Sequence, residues 1–115
     1  MRPRPTSFRD AQAKLLDAYS AQSDSHFVDL SEPALRTHYL ESGQGDAVLM
    51  IHGGNAFAAS WAPLIQPLSR EFHLYLPDRP GCGLTDKVDY RGVPFREHSV
   101  AFVRSLLDRI GIERV

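Results

Sequence analysis

Two short stretches of the chain hold the residue types that chemistry needs. In the first, His52-Gly53-Gly54-Asn55 follows Ala47 to Ile51, an apolar run without alternation. In the second, Asp78-Arg79-Pro80-Gly81-Cys82-Gly83-Leu84-Thr85-Asp86 follows the run Phe72-His73-Leu74-Tyr75-Leu76-Pro77. Paired glycines let a backbone take positive φ and come close to a ligand. A short apolar run, β-branched in part, reads as a strand buried on both faces, the habit of parallel sheets. Each stretch therefore stands at the carboxyl end of a strand, where open α/β sheets bind their ligands.

The elements around these stretches follow from periodicity. After the first loop, Ser60 is a suitable cap for a helix with Trp61, Leu64, Ile65 and Leu68 on one stripe, and Pro67 predicts that it is short or kinked. Upstream, residues 1 to 7 read as a Pro-rich mobile tail. Phe8 to about Ala21 forms an amphipathic helix capped by Ser7, with Phe8, Ala11, Leu15, Leu16 and Tyr19 on its apolar side. His26–Leu30 and Leu35–Glu41 alternate as a half-exposed antiparallel pair around Ser31-Glu32-Pro33. Residues 42 to 46 turn into the strand at 47 to 51. Downstream, Lys87 to Gly92 is a polar connector. Val93 to Ile110 is a helix with Val100, Val103, Leu106, Leu107 and Ile110 on its docking stripe, stopped by Gly111. Ile112 to Val115 reads as the start of another strand. Two regions result, a tail and helix over 1–24 and an α/β unit over 25–115.

Composition excludes several classes. The chain has 115 residues, 43% hydrophobic and 23% charged, with net charge −1. That balance offers no basic footprint for nucleic acid and no polybasic anchor for a membrane. No apolar stretch approaches the roughly 18 residues of a spanning helix. The basic start Met1-Arg2-Pro3-Arg4-Pro5 lacks the apolar core of a signal peptide. Cys82 is the single cysteine, so no internal disulfide is available, and a cytoplasmic protein is the default expectation. Gly81 and Gly83 shape a turn; they are not a dinucleotide fingerprint, since Asp86 stands where a third glycine belongs. No Gly-Lys-Ser/Thr closes a phosphate loop and no residue pair has metal-ligand spacing, so neither cofactor nor metal is expected.

Taken together, His52-Gly53-Gly54, a Trp eight residues after Gly53 and Asp78-Arg79-Pro80-Gly81-Cys82-Gly83-Leu84-Thr85-Asp86 resemble the N-terminal part of an α/β-hydrolase-fold enzyme. The resemblance covers roughly residues 35 to 115. It implies an incomplete α/β-hydrolase sheet, with an antiparallel hairpin edge followed by parallel strands and flanking helices. It implies hydrolysis of a small ester, lactone or related carbonyl substrate, with an epoxide hydrolase or haloalkane dehalogenase using an Asp nucleophile as the alternative. The backbone N–H of Gly54 or Asn55 would face the oxyanion, His52 would support that loop through hydrogen bonds, and Gly53 and Trp61 would border the substrate. Asp78 is expected to accept N–H groups of its own turn, as Asp does in loops. His26, His38, His73 and His98 read as structural or surface residues.

The nucleophile elbow of the fold is Gly-x-Ser-x-Gly on a strand-to-helix turn, and that pentapeptide is absent from the sequence. By resemblance it follows the next strand, so the chain reads as ending upstream of its nucleophile, acid and histidine. The small-molecule substrate would then be handled only with the missing C-terminal half. The family strand order would leave the strand at 47–51 with a bare apolar edge, open to self-association. A non-catalytic binding or strand-pairing product is the other reading.

Overall fold

The computed structural model describes residues 7–115; of the expected tail, all but Ser7 lies outside the described residues. Ser7 caps α1 (Phe8–Ala18), its Oγ accepting the Asp10 N–H at 3.1 Å. The helix stops earlier than the periodicity predicts, because Ser20 turns into the left-handed region at φ 52°. Its inner face is also rotated from the expected stripe. Leu15 and Leu16 pack on the core and Gln12 is buried, while Ala11 and Tyr19 stay exposed.

Among the described residues four strands form one sheet: β1 (Asp24–Ser31), β2 (Ala34–Ser42), β3 (Asp46–Leu49) and β4 (Phe72–Pro77), in the order β1-β2-β4-β3. β1 and β2 are an antiparallel hairpin with Ser25 opposite Leu40 and Phe27 opposite His38. β2 also runs antiparallel to β4, and β4 pairs in parallel with β3, Val48 opposite Leu74. This is the mixed sheet with an antiparallel edge that the resemblance implies. Two glycines allow the tight passage from β2 to β3. Gly43 and Gly45 have φ +85° and +124°, and a Cβ on either would strike the backbone carbonyls at Ser69–Phe72.

Alternation along the strands divides the core between two faces. Leu40, Leu74 and Leu76 join Ala58, Ala59 and Ile65 on one side; Tyr39 and Tyr75 join Leu30, Leu35, Phe102 and Leu106 on the other. α2 (Ala62–Ser69) covers the first side and α3 (Phe95–Ile110) the second. β2 is therefore buried on both faces from Thr37 to Leu40 rather than half-exposed. The hairpin reading missed that β4 would flank β2 and make it an interior strand.

Further differences come from packing. β3 ends at Leu49, two residues early, and is half-buried rather than fully buried, since it lies at the sheet edge. Met50 adds one bond, its N–H donating to Tyr75 O at 2.9 Å, but Ile51 is 43% exposed. Ser60 does not cap α2. It sits in a 3-10 turn (Ala58–Trp61) and its Oγ accepts the Phe57 N–H at 3.2 Å. α2 is the short helix that Pro67 predicts, eight residues long, with Ile65 fully buried and Leu64 turned out to 45% exposure. In α3, Phe102 takes the buried place and Val100 is 48% exposed; Gly111 closes the helix at φ 87°. Residues 112–115 form no strand, with no partner strand beside them, although Ile112 packs on the α3 side of the core.

Candidate functional site

The two motif loops lie side by side because β3 and β4 are parallel neighbours. His52 joins them. Its ring is 3% exposed, with Nε2 accepting the Arg79 N–H at 3.0 Å. That acceptor role leaves the proton on Nδ1, which donates to Gly53 O at 2.8 Å. The Arg79 guanidinium adds a bond to His52 O at 3.5 Å. With both nitrogens occupied by backbone groups, this ring holds loop geometry and has no free site for a proton from a substrate.

Beyond His52 the chain makes an exposed turn through Gly53, Gly54 and Asn55. Neither glycine takes the positive φ that their pairing predicts; Asn55 does, at φ 56°, a conformation that Asn tolerates better than most residues. A Cβ built on Gly53 or Gly54 would meet nothing within 4 Å. Open space therefore lies in front of the turn, and among the described residues the Gly54 and Asn55 N–H groups have no internal acceptor. Trp61 lies one turn on, half-buried against the α2-side core.

The second loop is organised quite differently, around Asp78. This residue is fully buried. Its Oδ1 accepts the Ala58 N–H at 2.7 Å, and its Oδ2 accepts the Leu84 N–H at 3.0 Å and faces His38 Nδ1 at 2.7 Å. Only the Leu84 bond belongs to the expected turn; the other two tie in β2 and the 3-10 turn. Burial pushes this carboxyl up, but the His38 bond, the two N–H bonds and the His38 charge outweigh it and hold the group below the ordinary range. Gly83, at φ 53°, allows the approach, since a Cβ there would land on the Asp78 carboxylate. Thr85 completes the bracket: its hydroxyl donates to Asp78 O at 2.8 Å and accepts the His38 N–H at 3.0 Å.

His38 is thus a buried partner of Asp78, more specific than a structural or surface histidine. Its other nitrogen, Nε2, lies 2.6 Å from Ser25 Oγ. Ser25, His38 and Asp78 are 13 and 40 residues apart, so no local motif announces them. The hairpin register does carry a signal. Pairing around residues 31–34 puts Ser25 opposite Leu40, hence diagonal to His38 on one face.

Near the first loop, Phe95 is 52% exposed, with the Arg79 guanidinium 6.0 Å from its ring centroid and Tyr90 packed on it at 5.5 Å. Among the described residues no helix is long and apolar enough to cross a membrane, and no group of three His, Cys, Asp or Glu is placed to hold a metal ion.

Comparison with known proteins places residues 46–115 in the alpha/beta hydrolase fold family. A cis-3-alkyl-4-alkyloxetan-2-one decarboxylase of Shewanella oneidensis is 32% identical over 89 residues, which is 76% of this chain and 27% of that protein. A 2-hydroxy-6-oxo-6-phenylhexa-2,4-dienoate hydrolase of Burkholderia cepacia is 30% identical over 105 residues, 83% of this chain and 35% of the relative. The crystal structure of an epoxide hydrolase from Vigna radiata superposes with a TM-score of 0.70 at 27% identity, covering 78% of this chain and 29% of the other. The chain spans about a third or less of the length of these relatives.

Proposed function

The chain belongs to the alpha/beta hydrolase fold family, and from that premise we propose that residues 52–55 form the oxyanion-binding side of a hydrolase site for a small ester, lactone or related carbonyl substrate. The observation that carries this reading is the exposed Gly54–Asn55 turn, its N–H groups without internal acceptors, clamped by a buried His52. Donors held rigidly where negative charge develops stabilise an acyl-transfer transition state without reorganising. Gly54 supplies the preferred donor and Asn55 the second, while His52 positions them without touching the reacting atoms. Gly53 and Trp61 border the substrate. The relative from Burkholderia cepacia, a hydrolase of an oxo acid by its name, supports a carbonyl substrate.

The nucleophile in this reading comes from a strand-to-helix turn that pairs with the free edge of β3, since no Gly-x-Ser-x-Gly lies within residues 1–115. Until paired, that edge is open to strand exchange with a second copy. An aspartate nucleophile is the second reading, favoured by the superposition on the Vigna radiata epoxide hydrolase.

The genomic reading frame beyond codon 115 separates the two. A Gly-x-Ser-x-Gly supports carbonyl chemistry, and an Asp at its centre moves the site to epoxide or haloalkane substrates. In a product carrying that elbow, Gly54→Pro is expected to lower kcat by about 10²–10³, the usual cost of losing one oxyanion donor. A rate unchanged by Gly54→Pro would remove the loop from the mechanism.

A further inference from the structure

We propose that Ser25, His38 and Asp78 form a second acyl-transfer site, separate from the glycine loop, that takes esters of anionic acids. The order of contacts is that of a nucleophile, a base and an orienting carboxylate. Asp78 Oδ2 lies 2.7 Å from His38 Nδ1, and His38 Nε2 lies 2.6 Å from Ser25 Oγ. The carboxylate and the imidazole are fully buried, while the serine is exposed. Two backbone N–H groups on Asp78 keep its carboxylate in place. With Nδ1 held on the Asp78 carboxylate, Nε2 is the ring nitrogen that faces the hydroxyl. This is the feature His52 lacks.

The surroundings choose the substrate class. Phe27 shares a strand face with Ser25, two residues on, and its ring centroid is 5.0 Å from that of His38. The guanidinium groups of Arg36 and Arg9 stand 4.5 and 5.3 Å from the Phe27 centroid. Among the described residues neither is ion-paired. Two cations over one ring that packs on His38 favour an acyl group that carries its own negative charge. β1 is an outer strand of the sheet, so alternate backbone N–H groups along it point away from β2, free to meet an oxyanion.

In the step itself, Ser25 Oγ bonds to the ester carbonyl carbon as its proton passes to His38 Nε2. The tetrahedral adduct then breaks its bond to the alcohol oxygen, and the alcohol leaves with the proton from Nε2. Acylated Ser25 remains. Water, losing a proton to His38 by the same route, releases the acid and restores the serine.

The test uses the full chain with two probes, 4-nitrophenyl acetate and the anionic 4-nitrophenyl hemisuccinate, followed by peptide mapping of the acylated serine. Ser31, exposed on the same strand, is the internal reference. Base assistance is worth about 10²–10⁴ in rate, so Ser25 is expected to acylate at least about 10²-fold faster than Ser31. Hemisuccinate is expected to react faster than acetate, and the Ser25 adduct to vanish in denaturant and in Ser25→Ala. Ser25 labelling no faster than that of Ser31, or persisting in denaturant, overturns the site. Equal rates for the two esters overturn the anionic substrate. Because the readout is an adduct on one residue of this chain, either failure leaves the glycine-loop reading untouched.

Discussion

His52 and His38 are both buried, each joins segments distant in sequence, and each spends one nitrogen on fixing its tautomer. They differ in what the other nitrogen meets. In His52 the partners are two backbone groups, the Gly53 carbonyl and the Arg79 N–H, and the ring is a clamp. In His38 the partners are a buried carboxylate and a serine hydroxyl, an arrangement able to pass a proton. Residue type and burial are alike; the neighbours decide whether a histidine holds shape or could do chemistry.

Stability measurements break or sharpen that contrast. The largest effect is expected for Asp78→Ala, which leaves the His38 ring and the Ala58 and Leu84 N–H groups without their shared acceptor. Each buried donor left without an acceptor costs about 1–3 kcal/mol, so urea denaturation should show a loss of about 3 kcal/mol or more, or no folded state. A loss within about 0.5 kcal/mol, as for an ordinary surface change, would mean that Asp78 is no hub.

His52→Ala is the smaller test. It deletes two hydrogen bonds whose partners lie beside an exposed turn, and neutral bonds contribute about 0.5–1.5 kcal/mol each. A loss of about 1–3 kcal/mol is expected, with amide exchange quickened mainly at residues 53–55 and 79. Global unfolding as severe as that of Asp78→Ala would erase the distinction between clamp and hub.

The smallest effect is the pH dependence. The Asp78 carboxyl is held below its ordinary value in the folded chain, so the folded state binds its proton less readily than the unfolded one. Its stabilisation is complete above the unfolded carboxylate value of about 3.9 and is lost as pH falls through the lower, folded value. Acid titration of stability should therefore be steeper for the unmodified chain than for Asp78→Ala below about pH 4. Parallel curves would show that Asp78 titrates alike in both states.

Much of this was legible in the residues. Unbroken apolar runs ending in glycine loops gave β3, β4 and their ligand-facing ends, although β3 ended early. The Ser7 cap, the hairpin around Glu32-Pro33, the short α2 and the Gly111 stop were local signals that tertiary context did not override. The Ser60 cap failed because the backbone tightened into a 3-10 turn before α2 began, and Gly53 and Gly54 left the left-handed position to Asn55.

By itself, then, the sequence determined the order of elements, the two motif loops and the family, because those depend on propensity and pattern within a few residues. Only the tertiary structure decided which side chains meet. β2 became an interior strand once β4 closed on it, and this carried His38 out of water and against Asp78, 40 residues away. A contact of that kind is set by sheet order and register, which arise from the packing of whole elements.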